Sequence, residues 1–282
     1  MASRSYKSLT ASNPTVQEFD ITPDTRTLQS MGSTGQPSWK AIAELVDNSL
    51  DAINPNTSTS EVEIRYLIKN HRVQSITLSD NGIGMTPEQL ANAFRIGRSI
   101  KHGSNKTIGM FGFGLKTAIA SLGTSWKITT ATQEAKTASQ ISGSMKEFVE
   151  NNSWTIQVNQ VVKQNVGTVI EIFNCDINEG QFLREFHTRL AETFRAFLES
   201  EKLVLTVTEE ATGDSERIKA APIDWMPEDK GGFKKTFDFE VNGKRVYGVC
   251  GMREYGSNYY GFSLIRNSRT ITQNAVSYTH LR

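Results

Sequence analysis

Four oxygen-bearing side chains recur along one short segment at the spacing of a helical face. Three acids and an amide occupy positions i, i+3, i+4 and i+7: Glu44, Asp47, Asn48 and Asp51. If residues 37–52 form a helix, these side chains lie within roughly 100° of one another. Such oxygen ligands suit Mg²⁺, which takes one or two protein ligands plus phosphates and water, and Glu44 could accept a proton from an attacking water. A solvated acidic helix face has the same pattern, so both interpretations stay open.

A second candidate site is the turn that begins at Asp80. This carboxylate directly follows a strand-like run and precedes Gly82 and Gly84. The glycines remove side chains, so a flat ligand could approach the backbone there, with Ile83 and Met85 packing on it. Asp80 could then accept a hydrogen bond from an exocyclic amino group such as that of adenine. A tight turn without any ligand favours the same Asp-Asn-Gly sequence.

Closely spaced glycines precede a helix predicted at residues 114–122. The run is Gly109-Met110-Phe111-Gly112-Phe113-Gly114-Leu115-Lys116. It would expose backbone N–H groups at a helix N-terminus, which favours anions, and Lys116 adds a cation for phosphate. A Walker A loop is excluded because Leu115 separates Gly114 from Lys116, and a dinucleotide-binding fingerprint is excluded because position 117 is Thr. A plain glycine-rich hinge remains the alternative.

Hydrophobic patterns indicate the elements that would position these groups. The helix at 37–52 has an apolar face opposite the acids, and a helix begins at the Thr86-Pro87 signal. Strands are predicted at 62–68 and 73–78, and strand-like segments fill 125–173. This order predicts an α+β fold, with a mixed sheet covered on one face by helices.

The pattern changes near residue 177, where we place a domain boundary. A long amphipathic helix is predicted over 182–197, and Asn242-Gly243 predicts a hairpin turn. Further strands are predicted at 203–209, 235–241, 245–251 and 260–266. We therefore divide the chain into an N-terminal arm (1–36), a first domain (37–176) and a smaller second domain (177–282). No closing element precedes Arg282, which leaves open whether the second domain is complete.

Composition narrows the class of protein only in part. The formal net charge of +1 argues neither for nor against a nucleic-acid partner. Cys175 and Cys250 each lie in an apolar run, which predicts two buried free thiols in a reducing compartment. No apolar stretch approaches the roughly 20 residues needed to span a bilayer, and the polar N-terminus is not a secretory signal. We therefore expect a cytoplasmic protein without a membrane partner, or a nuclear one if the source has a nucleus.

Taken together, the order and spacing of these motifs resemble those of the GHKL ATPases. That superfamily includes gyrase-type topoisomerases, heat-shock chaperones of the ninety-kilodalton class, MutL-type mismatch-repair proteins and MORC proteins. Residues 44–52, 80–85, 109–114 and 167–172 are similar to its first, second, third and fourth motifs. The resemblance covers about residues 37–173 and implies the Bergerat fold, a two-layer α/β sandwich. Ser99-Ile100-Lys101 and Leu115-Lys116 look most like the MORC branch.

The resemblance implies a role for each matching residue. Glu44 would be the general base, Asn48 would ligate Mg²⁺, and Asp80 would bind the adenine amino group, with Thr168 assisting through water. A loop from Arg95 would form a lid over the triphosphate. Further nucleotide contacts are implied for the remaining motif and lid positions: Asp51, Gly82, Gly84, Met85, Ser99, Lys101, Gly109, Phe111, Gly112, Phe113, Gly114, Leu115 and Lys116.

The function implied is Mg-ATP binding and hydrolysis that drive a cycle of lid closure and dimerisation. We expect an ATP-dependent homodimer and a DNA-associated process of the MORC or MutL kind. The alternatives are an ATP-gated binding module without appreciable turnover, and a chaperone-type ATPase. Glu44 argues against sensor histidine kinases, whose first motif usually lacks this acid. Residues 177–282 resemble the start of a transducer domain, with 261–269 as its strand-turn segment.

Overall fold

The structure is a computed structural model of the chain, and it describes residues 30, 35–54, 57–94, 114–151, 155–253 and 261–275. The helices are α1 (Ser38–Asp51), α2 (Pro87–Phe94), α3 (Gly114–Leu122), α4 (Met145–Asn151), α5 (Glu179–Thr193) and α6 (Arg195–Glu199). The strands are β1 (Ser60–Lys69), β2 (Arg72–Asp80), β3 (Ser125–Ala131), β4 (Thr137–Ser144), β5 (Asn159–Val162), β6 (Gly167–Asn178), β7 (Leu203–Glu209), β8 (Ser215–Arg217), β9 (Lys234–Val241), β10 (Lys244–Gly251), β11 (Phe262–Arg266) and β12 (Arg269–Ala275).

Eight of the described strands form one mixed sheet in the order β5-β4-β3-β6-β2-β1-β7-β8. Neighbouring strands are antiparallel except for β1 and β7, which run parallel from the Ser60–Leu203 pair to the Tyr66–Glu209 pair. The expected α+β fold with a mixed sheet is therefore confirmed.

Alternation along β1 shows how the two layers are built. Val62, Ile64 and Tyr66 are buried, whereas Glu61 and Arg65 are exposed on the opposite face of the sheet. The Tyr66 ring packs edge-on against Phe182, with ring centroids 5.2 Å apart. The helical layer contributes large buried side chains from three helices: Ile42, Leu45, Val46, Ile119, Leu122, Phe182, Phe186 and Leu190. Burial of this apolar surface fixes the position of α1 over the sheet.

The single long helix predicted over 182–197 is wrong in detail, because two helices occupy this segment. The first begins at Glu179, where the side chain of Asn178 accepts the N–H of Gln181 at 3.0 Å. The helices are separated at Phe194, whose φ of −103° and ψ of 15° depart from helical values. Phe194 is nevertheless fully buried, so the apolar stripe continues across the break. No helix in the described part of the chain is long and apolar enough to cross a membrane.

The boundary predicted near residue 177 stays a prediction, and the sheet pairing bears on where it should lie. Strand β7 pairs with β1, and β8 pairs with β7, so both belong to the same sheet as the first six strands. Helix α5 supplies Phe182 and Phe186 to the same core. We propose that the first structural unit extends through β8.

Two further hairpins follow this sheet. The turn predicted at Asn242-Gly243 is present, with positive φ values of 50° and 72° that suit a two-residue connection between β9 and β10. A similar turn at Asn267 and Ser268, with φ values of 49° and 64°, joins β11 to β12. Most side chains of β9 and β10 are exposed.

This exposure corrects the expectation for one of the two cysteines. Cys250 lies on β10 and is exposed, while Cys175 is buried in the core beneath the helices. An apolar run in sequence indicates burial only if another layer covers the strand, and the described residues place none over Cys250. Burial raises the pKa of the Cys175 thiol to about 12.

We expect the two thiols to differ sharply in reactivity. Alkylation depends on the thiolate, so at neutral pH Cys250 should be modified readily and Cys175 should be protected. Mass spectrometry after maleimide treatment should show one adduct on the native protein and two after unfolding in guanidinium. A Cys250→Ser variant serves as the control and should take up no label when native. Rapid labelling of that variant would contradict the burial of Cys175.

Candidate functional site

Asp80 occupies the end of β2, where three donors converge on its carboxylate. Its Oδ1 accepts the backbone N–H of Gly82 at 2.9 Å and that of Thr168 at 3.1 Å. Its Oδ2 accepts the Ser49 hydroxyl, which lies on α1, at 3.0 Å. Burial raises the pKa of Asp80, and these three hydrogen bonds oppose that rise. A carboxylate offers about four acceptor positions, so this fixed group can accept a further donor.

The glycines of the Asp80 turn are needed for the approach of one chain segment to another. A Cβ on Gly82 would lie 2.7 Å from the carbonyl oxygen of Ala52 and 2.9 Å from Oδ1 of Asp80. Gly84 has a φ of +67°, and a Cβ there would lie 2.1 Å from the carbonyl oxygen of Ala131. Both glycines therefore hold the turn against α1 and β3, whether or not a ligand also approaches them.

Thr130 ties the Asp80 turn to the adjoining strand, and the sequence patterns did not single it out. Its Oγ1 accepts the N–H of Met85 at 2.9 Å and lies 3.0 Å from both the Gly167 carbonyl oxygen and Thr168 Oγ1. Thr168 thus reaches Asp80 directly through its backbone N–H, while its hydroxyl faces Thr130. A buried threonine in a β-branched run is ordinary in sequence, so only the strand pairing reveals this contact.

Replacing Thr130 by Val should weaken the site without unfolding the protein. The change removes the hydroxyl that accepts the Met85 N–H and that contacts the Gly167 carbonyl oxygen and the Thr168 hydroxyl. Leaving such groups without a partner lowers the free energy of unfolding by about 1–3 kcal/mol. Thermal denaturation should show the lower stability, and calorimetry should show weaker nucleotide binding. Thr129→Val is the matched control, because its hydroxyl accepts Gln140 Nε2 on the other face of the same strand. Equal effects from the two variants would contradict a special role for Thr130.

The acidic stripe of α1 is not uniformly solvated. The side chain of Glu44 is 33% exposed, whereas that of Asp47 is only 4% exposed. Arg269, on β12, places its Nε 2.8 Å from Oδ1 and 2.6 Å from Oδ2 of Asp47. Burial raises the pKa of Asp47 to about 7, Arg269 opposes that rise, and the charges of Glu44 and Asp51 add to it. A solvated acidic face is therefore wrong for Asp47, because the helix stripe faces protein at that position.

Glu44 lies where α1 meets the start of α3. A Cβ added to Gly114 would lie 3.0 Å from Oε2 of Glu44, while Nη2 of Arg269 lies 3.6 Å from its Oε1. The first motif and the end of the glycine-rich run are thus brought together. Asn48, one turn further along α1, has its Nδ2 buried without a hydrogen-bond partner among the described residues. An amide short of a partner fits a position where bound ligand, ion or water completes the contacts.

Lys116 is buried on α3, with only 2% of its surface exposed. Burial lowers the pKa of its ammonium to about 8. Since an anion nearby would favour the charged form, this lysine suits a position beside phosphate. Leu115 and Met85 are partly buried against the core, and Asp51 is half-buried at the end of α1.

Six predicted nucleotide contacts lie outside the described residues, as does the predicted lid that starts at Arg95. They are Ser99, Lys101, Gly109, Phe111, Gly112 and Phe113. The described site therefore consists of α1, the Asp80 turn, the adjoining ends of β3 and β6, and the start of α3.

The amino-acid sequence over this part of the chain is similar to that of known ATPases. Residues 36–170 match the family described as histidine kinase-, DNA gyrase B-, and HSP90-like ATPase. The B subunits of type 2 DNA topoisomerase 6 from Saccharolobus islandicus and from Saccharolobus solfataricus are 34% identical over 87 residues. The corresponding protein from Saccharolobus shibatae is 36% identical over 84 residues. These matches cover 29% of this chain and 16% of each relative.

Proposed function

We propose that this chain binds Mg-ATP and hydrolyses it, because residues 36–170 match a GHKL-type ATPase domain. The observation that carries the proposal is the carboxylate of Asp80, which lies half-buried at a strand end, accepts hydrogen bonds from three donors and can accept one more. An exocyclic amino group, as in adenine, is the donor that this arrangement suits.

Glu44 is the best-placed general base. Its carboxylate is partly exposed, and it lies beside Gly114 at the end of the predicted phosphate-binding run. In the proposed step, a water oxygen bonds to the terminal phosphorus, the bond from that phosphorus to the bridging oxygen breaks, and Glu44 takes the proton of the water. ADP and inorganic phosphate are the products.

Asn48 would be the protein ligand for Mg²⁺. Its buried amide nitrogen has no hydrogen-bond partner among the residues that the structure describes, and rotation of the amide would put the side-chain oxygen in the same place. When bound, the metal would neutralise charge on the phosphate oxygens. Lys116 would support the same phosphates. Its pKa near 8 should rise as the anionic ligand stabilises the ammonium.

We propose further that nucleotide binding drives lid closure and homodimerisation in a DNA-associated process. The similarity to the B subunits of a type 2 DNA topoisomerase supports a DNA-associated role. The finer resemblance to the MORC and MutL branches rests on Ser99-Ile100-Lys101, on Leu115-Lys116 and on residues 44–52. The matched segment makes up 16% of the length of each of these relatives.

Two measurements on the full chain test the proposal. Calorimetry should show one Mg-ATP site per chain, and a phosphate-release assay should show steady turnover. Binding without phosphate release would favour an ATP-gated module instead. If neither ATP nor a non-hydrolysable analogue binds, the assignment of the Asp80 site fails.

A further inference from the structure

The side chain of Arg269 links the last described hairpin to the predicted catalytic helix. Arg269 and Asp47 are 222 residues apart in sequence, and their contact distances of 2.6–2.8 Å are those of a close ion pair. The Arg269 side chain is only 14% exposed, although Phe262, Leu264 and Ile265 on the neighbouring strand are exposed. The arginine is therefore much less exposed than these apolar side chains of its neighbouring strand.

A second contact seats the same hairpin on α5. The Thr270 hydroxyl donates to the backbone carbonyl oxygen of Glu192 at 3.1 Å, near the end of that helix. The turn at Asn267 and Ser268 places Arg269 at the first position of β12, directly facing α1. Two consecutive residues thus bind two different helices, which fixes the direction of the arginine side chain.

Glu44 lies between this arginine and the predicted phosphate-binding run. One carboxylate oxygen is 3.6 Å from Arg269 Nη2, and the other lies against Gly114. Asp80 is held by a separate set of contacts, from Ser49, Gly82 and Thr168. Among the described residues, the part of α1 that carries Glu44 contacts the hairpin, whereas the contacts that hold Asp80, through Ser49 of α1, do not involve it. We call these two parts the hydrolytic end and the adenine end of α1.

We propose that Arg269 is a positioning residue that holds Glu44 in its productive orientation and so makes hydrolysis depend on the docked β11–β12 hairpin. This inference rests on the proposed ATPase function. Pairing with Asp47 anchors the guanidinium, and its remaining N–H groups keep the half-exposed carboxylate of Glu44 from turning away. It also offsets one of the acidic charges beside the triphosphate. Binding at the adenine end does not need this contact.

The test is a comparison of turnover and binding in Arg269→Gln. We expect kcat to fall about tenfold or more, because displacing a reacting group by about 1 Å has effects of up to 10²-fold. The Kd for Mg-ATP, measured by calorimetry, should change by less than about threefold. Arg269→Lys keeps the charge and should recover part of kcat. A matched control is Arg245→Gln, which removes an arginine–aspartate pair of 2.6 Å on the exposed β9–β10 hairpin and should leave both constants unchanged.

A second variant guards against simple misfolding. Arg269→Gln combined with Asp47→Asn replaces the ion pair by two neutral amides, so no buried charge is left unpaired. We expect this double variant to fold and to bind Mg-ATP, yet to keep the low kcat of the single variant. Recovery of wild-type kcat in the double variant would overturn the proposal, since Glu44 would then be productive without the guanidinium.

The proposal also fails if Arg269→Gln has wild-type kcat, or if kcat and the number of binding sites fall by the same factor. Failure of the underlying function looks different. In that case the wild-type protein itself releases no phosphate, and both the ATPase proposal and the role of Arg269 are overturned together.

Discussion

Glu44→Gln should abolish most ATP turnover while leaving Mg-ATP binding nearly intact. Glutamine keeps the size of the side chain and can still accept a hydrogen bond, but it cannot take a proton from the attacking water at neutral pH. Positioned general bases contribute about 10²–10⁴-fold to rate, so kcat should fall within that range. Steady-state phosphate release gives kcat, and calorimetry on the same preparation gives the Kd.

The control for Glu44 is Glu150→Gln, which removes the same charge from an exposed position on α4. This variant should hydrolyse ATP at the wild-type rate. A Glu44→Gln protein with wild-type kcat would exclude this residue as the base. Loss of binding together with turnover would instead place Glu44 among the groups that hold the nucleotide.

Asp80→Asn should weaken Mg-ATP binding by about 10²-fold, whereas the free energy of unfolding should change less. The substituted amide can still satisfy its surroundings: its oxygen accepts the N–H groups of Gly82 and Thr168, and its nitrogen donates to the Ser49 hydroxyl. The position that faces the ligand then carries a donor where an acceptor stood. Because two donors then face each other, the complex loses a charge-assisted hydrogen bond, which is worth about 1.5–3 kcal/mol.

The same substitution should change the preference between nucleotides. Adenine presents an amino donor where guanine presents a carbonyl acceptor. The wild-type protein should therefore bind ATP more tightly than GTP. Asp80→Asn should reduce the ratio of the two affinities, because it weakens the binding of ATP more than that of GTP. Competition between the two nucleotides for a fluorescent analogue measures the ratio. Asp176→Asn, at an exposed carboxylate paired with Arg72, is the control and should leave the ratio unchanged. An unaltered ratio in Asp80→Asn would contradict adenine recognition by this residue.

Local patterns along the chain predicted the elements that carry the site. Helix α1 and the bounds of α3 and β7 follow from apolar periodicity and from Gly and Pro signals, which act over a few residues. The proximity of Glu44 to Gly114 was implied by family resemblance, since the two motifs are about 70 residues apart. Assignment of catalytic and ligand roles to these residues remains a prediction.

Contacts between distant segments could not be predicted in this way. The pairing of Arg269 with Asp47 has no local signature, because neither residue departs from an ordinary exposed charge in sequence. Thr130 is one hydroxyl among several in its strand, and only the register between β3 and β6 brings it to Gly167. The exposure of Cys250 depends equally on what covers its strand.

The parallel pairing of β1 with β7 has a consequence for how the protein is made. Strand β7 leaves the ribosome roughly 140 residues after β1, so the nascent chain carries β1 with one side unpaired during that interval. Unpaired strand edges recruit other chains, and closing so long a loop slows folding. The segment that matches the family model ends at residue 170, which precedes β7 in the chain. The sheet is therefore completed by residues outside that segment, and the edge of β1 stays open until Leu203 to Glu209 emerge.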